Sequence, residues 1–243
     1  MVTRKSYYEK NQPIHIISRS LIDAFRQKED CFKFIFYFYT ANLGKRGHNL
    51  SPRDIIKAGQ SILYGEKIPS KFVIIEHKPM VHLLDFSFVI NHDHLYLLLN
   101  IENMLPNFMQ KVNNSFAQSF NISHNRKDAV FGRRYKGVAI ENDFQSHAVS
   151  RYVSIINPLD VFQPGWREGG LKNPKKAFNF LNNYEFSSFP DKVGKRSSLI
   201  LAPKEILEQY APFWGKNKEY QDFVKEFLKE RSTLTHANHI FLE

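Results

Sequence analysis

Two histidines separated by one residue, His92 and His94, are the side chains best suited to chemistry in this sequence. They follow the apolar run 86–90 and the turn-forming Asn91, a pattern that predicts a strand, a tight turn and a second strand. Because side chains alternate along a strand, both imidazoles are expected on one face, where they could share a divalent ion. Asp93, between them, is expected on the opposite face. The spacing also fits a polar rim on a strand that binds no ion.

A second group of residues suited to chemistry is basic. Arg133, Arg134 and Lys136 follow one another closely in a segment that predicts a strand, 130–141, and such side chains bind phosphates. The whole chain carries a net charge of +10 and has a pI near 9.5, which indicates a polyanionic partner, nucleic acid first. Two alternatives remain open: an edge strand protected from aggregation by its charges, and a basic protein without such a partner.

Composition narrows the class of protein further. With 243 residues the chain can form one large domain, or one core domain with an appendage. Its single cysteine, Cys31, excludes an internal disulfide framework and a cysteine-based zinc site, and it fits a reducing, cytoplasmic location. No apolar run approaches the roughly 20 residues of a membrane span, and no apolar segment follows the basic N-terminus as in a secretory signal. We therefore expect no membrane partner.

Strands and helices that would position these residues follow from periodicity and turn signals. A basic excursion, 43–71, is punctuated by glycine and proline and contains a helix that Ser51 would cap. The other predicted elements before residue 160 are a strand at 13–18, a helix at 30–39, the hairpin around Asn91, a helix at 104–120, the strand at 130–141 and a helix from Asn142 or Asp143 that ends before Pro158. The remaining third predicts further helices at 174–184, 203–210 and 220–231.

The run Asn91-His92-Asp93-His94-Leu95 resembles the signature of single-tyrosine HUH transposases, in particular the REP-associated tyrosine transposases. Ile90 and Asp93 stand where that family usually has a proline and a hydrophobic residue. A shifted alignment would pair His94 and Tyr96 with the two histidines. Three further segments match in the family's order: His15 with Arg19, the Gly-Arg-Arg-Tyr-Lys run 132–136, and Tyr152 before Asn157-Pro158.

The resemblance implies a fold, an activity and a set of site residues. The fold would be α+β: a ferredoxin-like antiparallel sheet with helices packed on one face in residues 1–160, then a helical C-terminal extension, 161–243. The activity would be cleavage and rejoining of single-stranded or hairpin DNA by a homodimer. In this family the tyrosine attacks the DNA and keeps it as a 5′-phosphotyrosine while a divalent ion binds the phosphate. The residues carried over are Tyr152 as nucleophile, His92, His94 and Asn157 as ligands of Mg²⁺ or Mn²⁺, and Arg19, Arg133, Arg134 and Lys136 as DNA contacts.

The spacing at the tyrosine departs from the family pattern. Asn157 lies five residues after Tyr152 instead of four, and on an α-helix five residues rotate about 140° from the starting face. Three alternatives stay open: the helix contains a one-residue bulge, Asn157 is not a ligand, or the enzyme is inactive. A domesticated relative that binds DNA hairpins without cleaving them is therefore the alternative function. A metal-dependent enzyme acting on small molecules would explain the histidines but not the charge.

Overall fold

A computed structural model describes residues 9–99, 104–132 and 134–233. Its strands are β1 (Pro13–Arg19), β2 (Gly44–Arg46), β3 (Val73–Ile75), β4 (Val81–Val89), β5 (His92–Leu99) and β6 (Lys136–Ala139). Its α-helices are α1 (Lys28–Leu43), α2 (Pro52–Tyr64), α3 (Leu105–Ser123), α4 (Asp143–Arg151), α5 (Asn157–Phe162), α6 (Trp166–Gly169), α7 (Pro174–Asn183), α8 (Phe189–Lys192), α9 (Lys204–Tyr210) and α10 (Asn217–Thr233). A π-helical turn, Tyr152–Ile156, joins α4 to α5.

The main sheet has four strands in the order β4-β5-β1-β6, and every neighbouring pair is antiparallel. With α1 between β1 and β4, and α3 between β5 and β6, this is the split β-α-β arrangement of a ferredoxin-like fold. The predicted α+β class and the helical C-terminal part are therefore confirmed. The predicted hairpin is confirmed as well, with Ile90 and Asn91 forming the turn between β4 and β5.

One face of the sheet is covered by α1 and α3, as predicted. The alternation of each strand sends Ile14, Ile16, Leu95 and Leu97 to this side, where they are fully buried. Aromatic rings from the helices and from β4 complete the core, with Phe34 edge-on to both Phe88 and Phe116. Burial of each large apolar side chain contributes about 1.5–3 kcal/mol. This dry core is what fixes the strand register.

The opposite face of the sheet carries the π turn and helices from the C-terminal third. On this face a small apolar cluster joins β4 and β5 to Leu207 of α9; its strand residues are Leu84, Tyr96 and Leu98. A further cluster joins the π turn and α5 to α6, α7, α8 and α10; its core members include Ile155, Leu159, Trp166, Leu181, Phe189, Val224 and Leu228. Residues 186–188 run along the free edge of β4, where Phe88 and Ser188 donate backbone hydrogen bonds to Phe186 and Phe86. Whether residues 161–243 form a separate domain stays a prediction.

A fully buried polar group, which we call the inner polar cluster, anchors α4 and α8 to β4. It consists of Asp85, Ser150, Ser188 and Lys192. The Asp85 carboxylate pairs with the Lys192 ammonium and accepts hydrogen bonds from both serine hydroxyls, at 2.7 Å from Ser150. Lys192 also donates to Ser150. Burial lowers the pKa of Lys192, and the Asp85 charge opposes that shift.

The excursion 43–71 packs along α1, where Gly59 of α2 lies against the backbone of Phe32. As predicted, Ser51 caps α2: its hydroxyl accepts from the Asp54 N–H, and the Asp54 carboxylate accepts from the Ser51 N–H. The flanking strands β2 and β3 form a separate two-stranded sheet. No helix in the described part of the chain is long and apolar enough to cross a membrane.

The predicted end of the helix before Pro158 is wrong. The chain passes from α4 through the π turn into α5, and Pro158 lies in the first turn of α5. Within a regular helix a proline clashes with the carbonyl four residues earlier, here that of Ser154. That residue belongs to the π turn, and the wider π turn leaves room for the proline ring.

Candidate active site

His92 and His94 lie on one face of β5, next to β1. Their ring centroids are 5.8 Å apart and their planes differ by 24°. In the register of the sheet Arg19 is opposite His92 and Ile17 is opposite His94, so these side chains share the face. His94 is buried and His92 is half-buried.

A third imidazole, His15 of β1, continues the row. Its ring centroid is 5.9 Å from that of His94, with 23° between the planes. We call His15, His92 and His94 the histidine cluster. The sequence alone signals His15 only through its match, with Arg19, to the opening strand of the transposase family. The antiparallel pairing of β1 with β5 is what brings it beside His94.

Tyr152 lies against this cluster. Its ring meets His94 edge-on at a centroid distance of 5.6 Å, and His15 at 5.9 Å. Tyr152 is the first residue of the π turn, so the helix predicted to carry it does carry it over the histidine face of the sheet. The Tyr152 side chain is partly buried, so part of it remains accessible to solvent.

The π turn resolves the spacing between Tyr152 and Asn157. The Asn157 N–H donates to the Tyr152 carbonyl, a hydrogen bond across five residues that closes one wide turn and brings the two residues to the same side. Of the three alternatives left open by the sequence, a bulged helix is the one observed. Asn157 is 2 % exposed, and its Nδ2 has no hydrogen-bond partner among the described residues.

Burial and nearby cations keep the histidine cluster uncharged. Burial first, then His15, His92, Arg167 and Arg19, lower the pKa of His94 well below its usual value. Burial and Lys136 lower the pKa of His15 to about 4, and burial and Arg19 lower that of His92. Neutral imidazoles have a free ring nitrogen for a metal or a hydrogen bond.

Carboxylates are scarce around the histidine cluster. Asp93 lies on the opposite face, as expected, where Oδ1 accepts from the Ser18 N–H at 2.8 Å and burial raises its pKa to about 7. Asp160 is engaged by Arg167 and by the Trp166 indole. Within residues 9–99, 104–132 and 134–233, no group of three or more His, Cys, Asp or Glu side chains is placed to hold a metal ion.

The donor set predicted for a metal ion is neutral: the imidazoles of His92 and His94, which the sheet brings together, and the amide oxygen of Asn157. Imidazole suits borderline ions, whereas Mg²⁺ prefers carboxylate and water oxygens. His94 also has a buried Nδ1 without a partner in the described structure, although ligating histidines usually donate from their second nitrogen. These residues fit Mn²⁺ better than Mg²⁺.

The basic residues predicted to contact DNA divide into three groups. Arg19 ends β1 beside His92 and is exposed. Lys136 begins β6 opposite Ile17, also exposed and on the histidine side of the sheet, and Arg134 is exposed just before it. Arg133 lies outside the described residues. Arg167, which the sequence did not single out, places its guanidinium carbon 5.4 Å from the centre of the Tyr152 ring.

Comparison with known proteins gives a match of low similarity. No family model matches the chain, and no curated protein sequence matches it. The solved structure of a REP-associated tyrosine transposase bound to a REP hairpin is similar to this chain with a TM-score of 0.45 and 14% sequence identity, covering 84% of this chain and 92% of that one. At this similarity the function has to be inferred from the geometry of the site itself.

Proposed function

We propose that this protein is a metal-dependent, transposase-type enzyme that cleaves and rejoins single-stranded DNA through Tyr152. The observation that carries the proposal is the contact of the Tyr152 ring with His94 and His15 on a face bordered by basic side chains. A phosphodiester repels nucleophiles by its own charge. A fixed tyrosine beside cationic groups is a recurrent solution to that problem.

The proposed reaction balances without an outside reagent. The Tyr152 oxygen forms a bond to phosphorus while the bond from phosphorus to the 3′ oxygen of the preceding nucleotide breaks. The tyrosine hydroxyl loses its proton and the departing 3′ oxygen gains one, which leaves a free 3′-hydroxyl. The phosphotyrosine keeps the energy of the original ester, so the same step run backwards rejoins DNA. No nucleotide cofactor is required.

An ion held by His92, His94 and Asn157 would supply the positive charge that neutralises a non-bridging phosphate oxygen. The chain's own residues do the rest of the binding. Arg19, Arg134 and Lys136 would contact phosphates along the strand, and the π turn holds Tyr152 against the imidazoles. Of the two ions considered, Mg²⁺ and Mn²⁺, the proposal favours Mn²⁺, because two of the three protein ligands are nitrogen atoms.

A covalent-adduct assay tests the proposal. Hairpins of random stem with single-stranded flanks, labelled at the 3′ end, are incubated with protein and Mn²⁺ and separated under denaturing conditions. A 5′-phosphotyrosine retains the 3′-labelled fragment, so the wild type should give a slow protein–DNA band. The same pool labelled at the 5′ end should give only a shortened free strand.

Tyr152→Phe should abolish the band, and Tyr39→Phe is the matched control because Tyr39 lies on α1, against the other face of the sheet. A band that persists in Tyr152→Phe would assign the nucleophile to another residue. If the wild-type protein binds the hairpins and forms no adduct, the result would favour the alternative function, hairpin binding without cleavage.

The alternative, binding of DNA hairpins without cleavage, is favoured by one observation: the described residues contain no group of three or more His, Cys, Asp or Glu side chains placed to hold a metal ion. The dependence of the DNA-binding constant on salt concentration tests DNA binding independently of cleavage. Removing a side chain that binds one phosphate should reduce the log–log slope by about 0.7 for a single strand. Arg134→Gln and Lys136→Gln should each do so, whereas Lys229→Gln, which removes an equal charge from the exposed side of α10, should not. Binding that ignores salt would contradict both functions.

A further inference from the structure

Arg167 is the charged side chain from the C-terminal third that reaches the candidate nucleophile. It lies in the single-turn helix α6, just after Gly165, whose φ of 78° turns the chain back towards α5. The guanidinium carbon stands 5.4 Å from the centre of the Tyr152 ring. At that distance a cation is attracted to the face of an aromatic ring.

Asp160 fixes the guanidinium in this position. Its Oδ1 accepts from Arg167 Nε at 3.0 Å, and its Oδ2 pairs with Nη2. The Trp166 indole N–H donates to Oδ1 of the same carboxylate at 2.8 Å, and the Trp166 ring is buried in the C-terminal core. A two-bond pair of arginine with a carboxylate is planar and rigid, so Asp160, which the buried Trp166 holds by its indole N–H, sets the position of the cation.

The arginine stays charged, and its field reaches the histidine cluster. Burial alone would lower the pKa of Arg167, but the hydrogen bonds and charge of Asp160, followed by Tyr152, raise it overall. Arg167 is also among the cations that lower the pKa of His94. The two carboxylate contacts use Nε and Nη2, and Tyr152 is the neighbouring ring that the guanidinium faces.

We propose that Asp160 and Arg167 form a clamp that positions the Tyr152 ring against His15 and His94. This inference rests on the proposed role of Tyr152 as nucleophile. Arg167 is a positioning residue here: it acts on the orientation of the phenol, and Asp160 acts through Arg167. A displacement of about 1 Å at a reacting group can reduce a rate by about 100-fold, so such a clamp controls the rate more than the affinity for DNA.

Fluorine NMR measures the clamp without any reaction. The chain has 11 tyrosines, and in protein labelled with 3-fluorotyrosine the Tyr152 resonance is the one absent from Tyr152→Phe. Arg167→Met should shift that resonance by more than its linewidth. Asp160→Asn, which frees the guanidinium without removing it, should shift it in the same direction by less. Lys225→Met, which removes the cation over Phe178, is the matched control and should leave it in place.

The adduct assay then gives the functional result. Arg167→Met should slow adduct formation by about 100-fold at saturating DNA with little change in the dissociation constant, and Arg167→Lys should fall between it and wild type. If the resonance shifts and wild-type protein forms no adduct, the clamp stands and the proposed function fails. If Arg167→Met and Asp160→Asn both fold but change neither resonance nor rate, the clamp is wrong.

Discussion

Two polar groups lie on the same face of the sheet and differ in how their hydrogen bonds are satisfied. In the inner polar cluster the Asp85 carboxylate meets an ammonium and two hydroxyls. In the histidine cluster and the adjoining turn, His15 Nε2, His94 Nδ1 and Asn157 Nδ2 are buried without a partner in the described structure. Buried polar groups are normally paired, so three unpaired ones around one tyrosine require an explanation, and the proposed function supplies it as a bound ion and phosphate.

The contrast separates stability from function. A closed network rigidifies its surroundings, and losing one member leaves the others buried and unpaired. Buried polar atoms without a hydrogen-bond partner lower the free energy of unfolding until a ligand binds to them. The inner polar cluster includes Ser150, two residues before Tyr152. Its hydrogen bonds therefore help to hold Tyr152 in position against the histidine cluster. Four measurements test this contrast, in order of decreasing effect.

The largest effect is expected from breaking the inner polar cluster. Lys192→Met leaves the Asp85 carboxylate buried without its ammonium, which should lower the free energy of unfolding by about 3–5 kcal/mol in urea titrations. The double variant Asp85→Leu/Lys192→Met removes both charges and should recover most of that loss. A single variant that costs less than about 1 kcal/mol would show that the pair is not the anchor.

A smaller effect is expected from Asp93, beneath the histidine cluster. Its pKa is raised to about 7, so the folded protein binds the proton more tightly than the unfolded chain does. Stability is then greatest at low pH and falls as the pH rises through the folded pKa. Relative to Asp93→Asn, the wild type should lose about 2–3 kcal/mol of unfolding free energy between pH 5 and pH 8.

The wild type has to be compared with Asp93→Asn because the histidines change the free energy of unfolding with pH in the opposite direction. Their lowered pKa values make the wild type gain stability as the pH rises from about 4 to about 6.5. Both proteins contain these histidines, so their contribution cancels in the difference. A difference that does not change with pH would mean that Asp93 is ionised without penalty.

Metal binding should give a still smaller stabilisation. At ten times the dissociation constant, Mn²⁺ should raise the unfolding free energy of the wild type by about 1.4 kcal/mol. The variant His92→Ala/His94→Ala should fold and lose this response. The variant His48→Ala/His77→Ala removes two imidazoles from exposed loops and should keep it. Equal stabilisation of both double variants would remove the metal site from the proposed function.

The smallest effect on stability is expected at His94 itself. Leucine in its place removes a buried nitrogen without a partner, so the free energy of unfolding should change by less than about 1 kcal/mol. Adduct formation and the Mn²⁺ response should be lost. A loss of more than about 3 kcal/mol would mean that His94 is a structural residue, as Lys192 is.

Local features were predictable from the sequence. Residue type and spacing were enough for the β4–β5 hairpin, the Ser51 cap and the common face of His92 and His94. A bulge between Tyr152 and Asn157 was one of three alternatives that the sequence allowed. The sequence could not decide among them, because local spacing does not distinguish an α turn from a π turn. The passage of the helix through Pro158 was missed for the same reason.

Features that depend on distant parts of the chain were not predictable from local pattern. His15 joins the histidine cluster only through the register of β1 with β5. Lys192 reaches Asp85 across 107 residues of sequence. Arg167 lies beyond the segment where the transposase resemblance ends, and no periodicity connects it to Tyr152. The dimer and the bound metal stay predictions, and Arg133 lies outside the described residues.

The long reach of Lys192 has a consequence for the order in which the protein is made. Ribosomes deliver the N-terminal residues first, so β4, β5 and the π turn are synthesised before their ammonium partner exists. Until residue 192 emerges, the Asp85 carboxylate can be buried only at a cost, and Ser150 lacks its anchor. A chain that ends before residue 192 would therefore contain the histidines and Tyr152 without the ammonium that anchors Ser150 to Asp85, which makes the geometry of this site depend on synthesis of the C-terminal third.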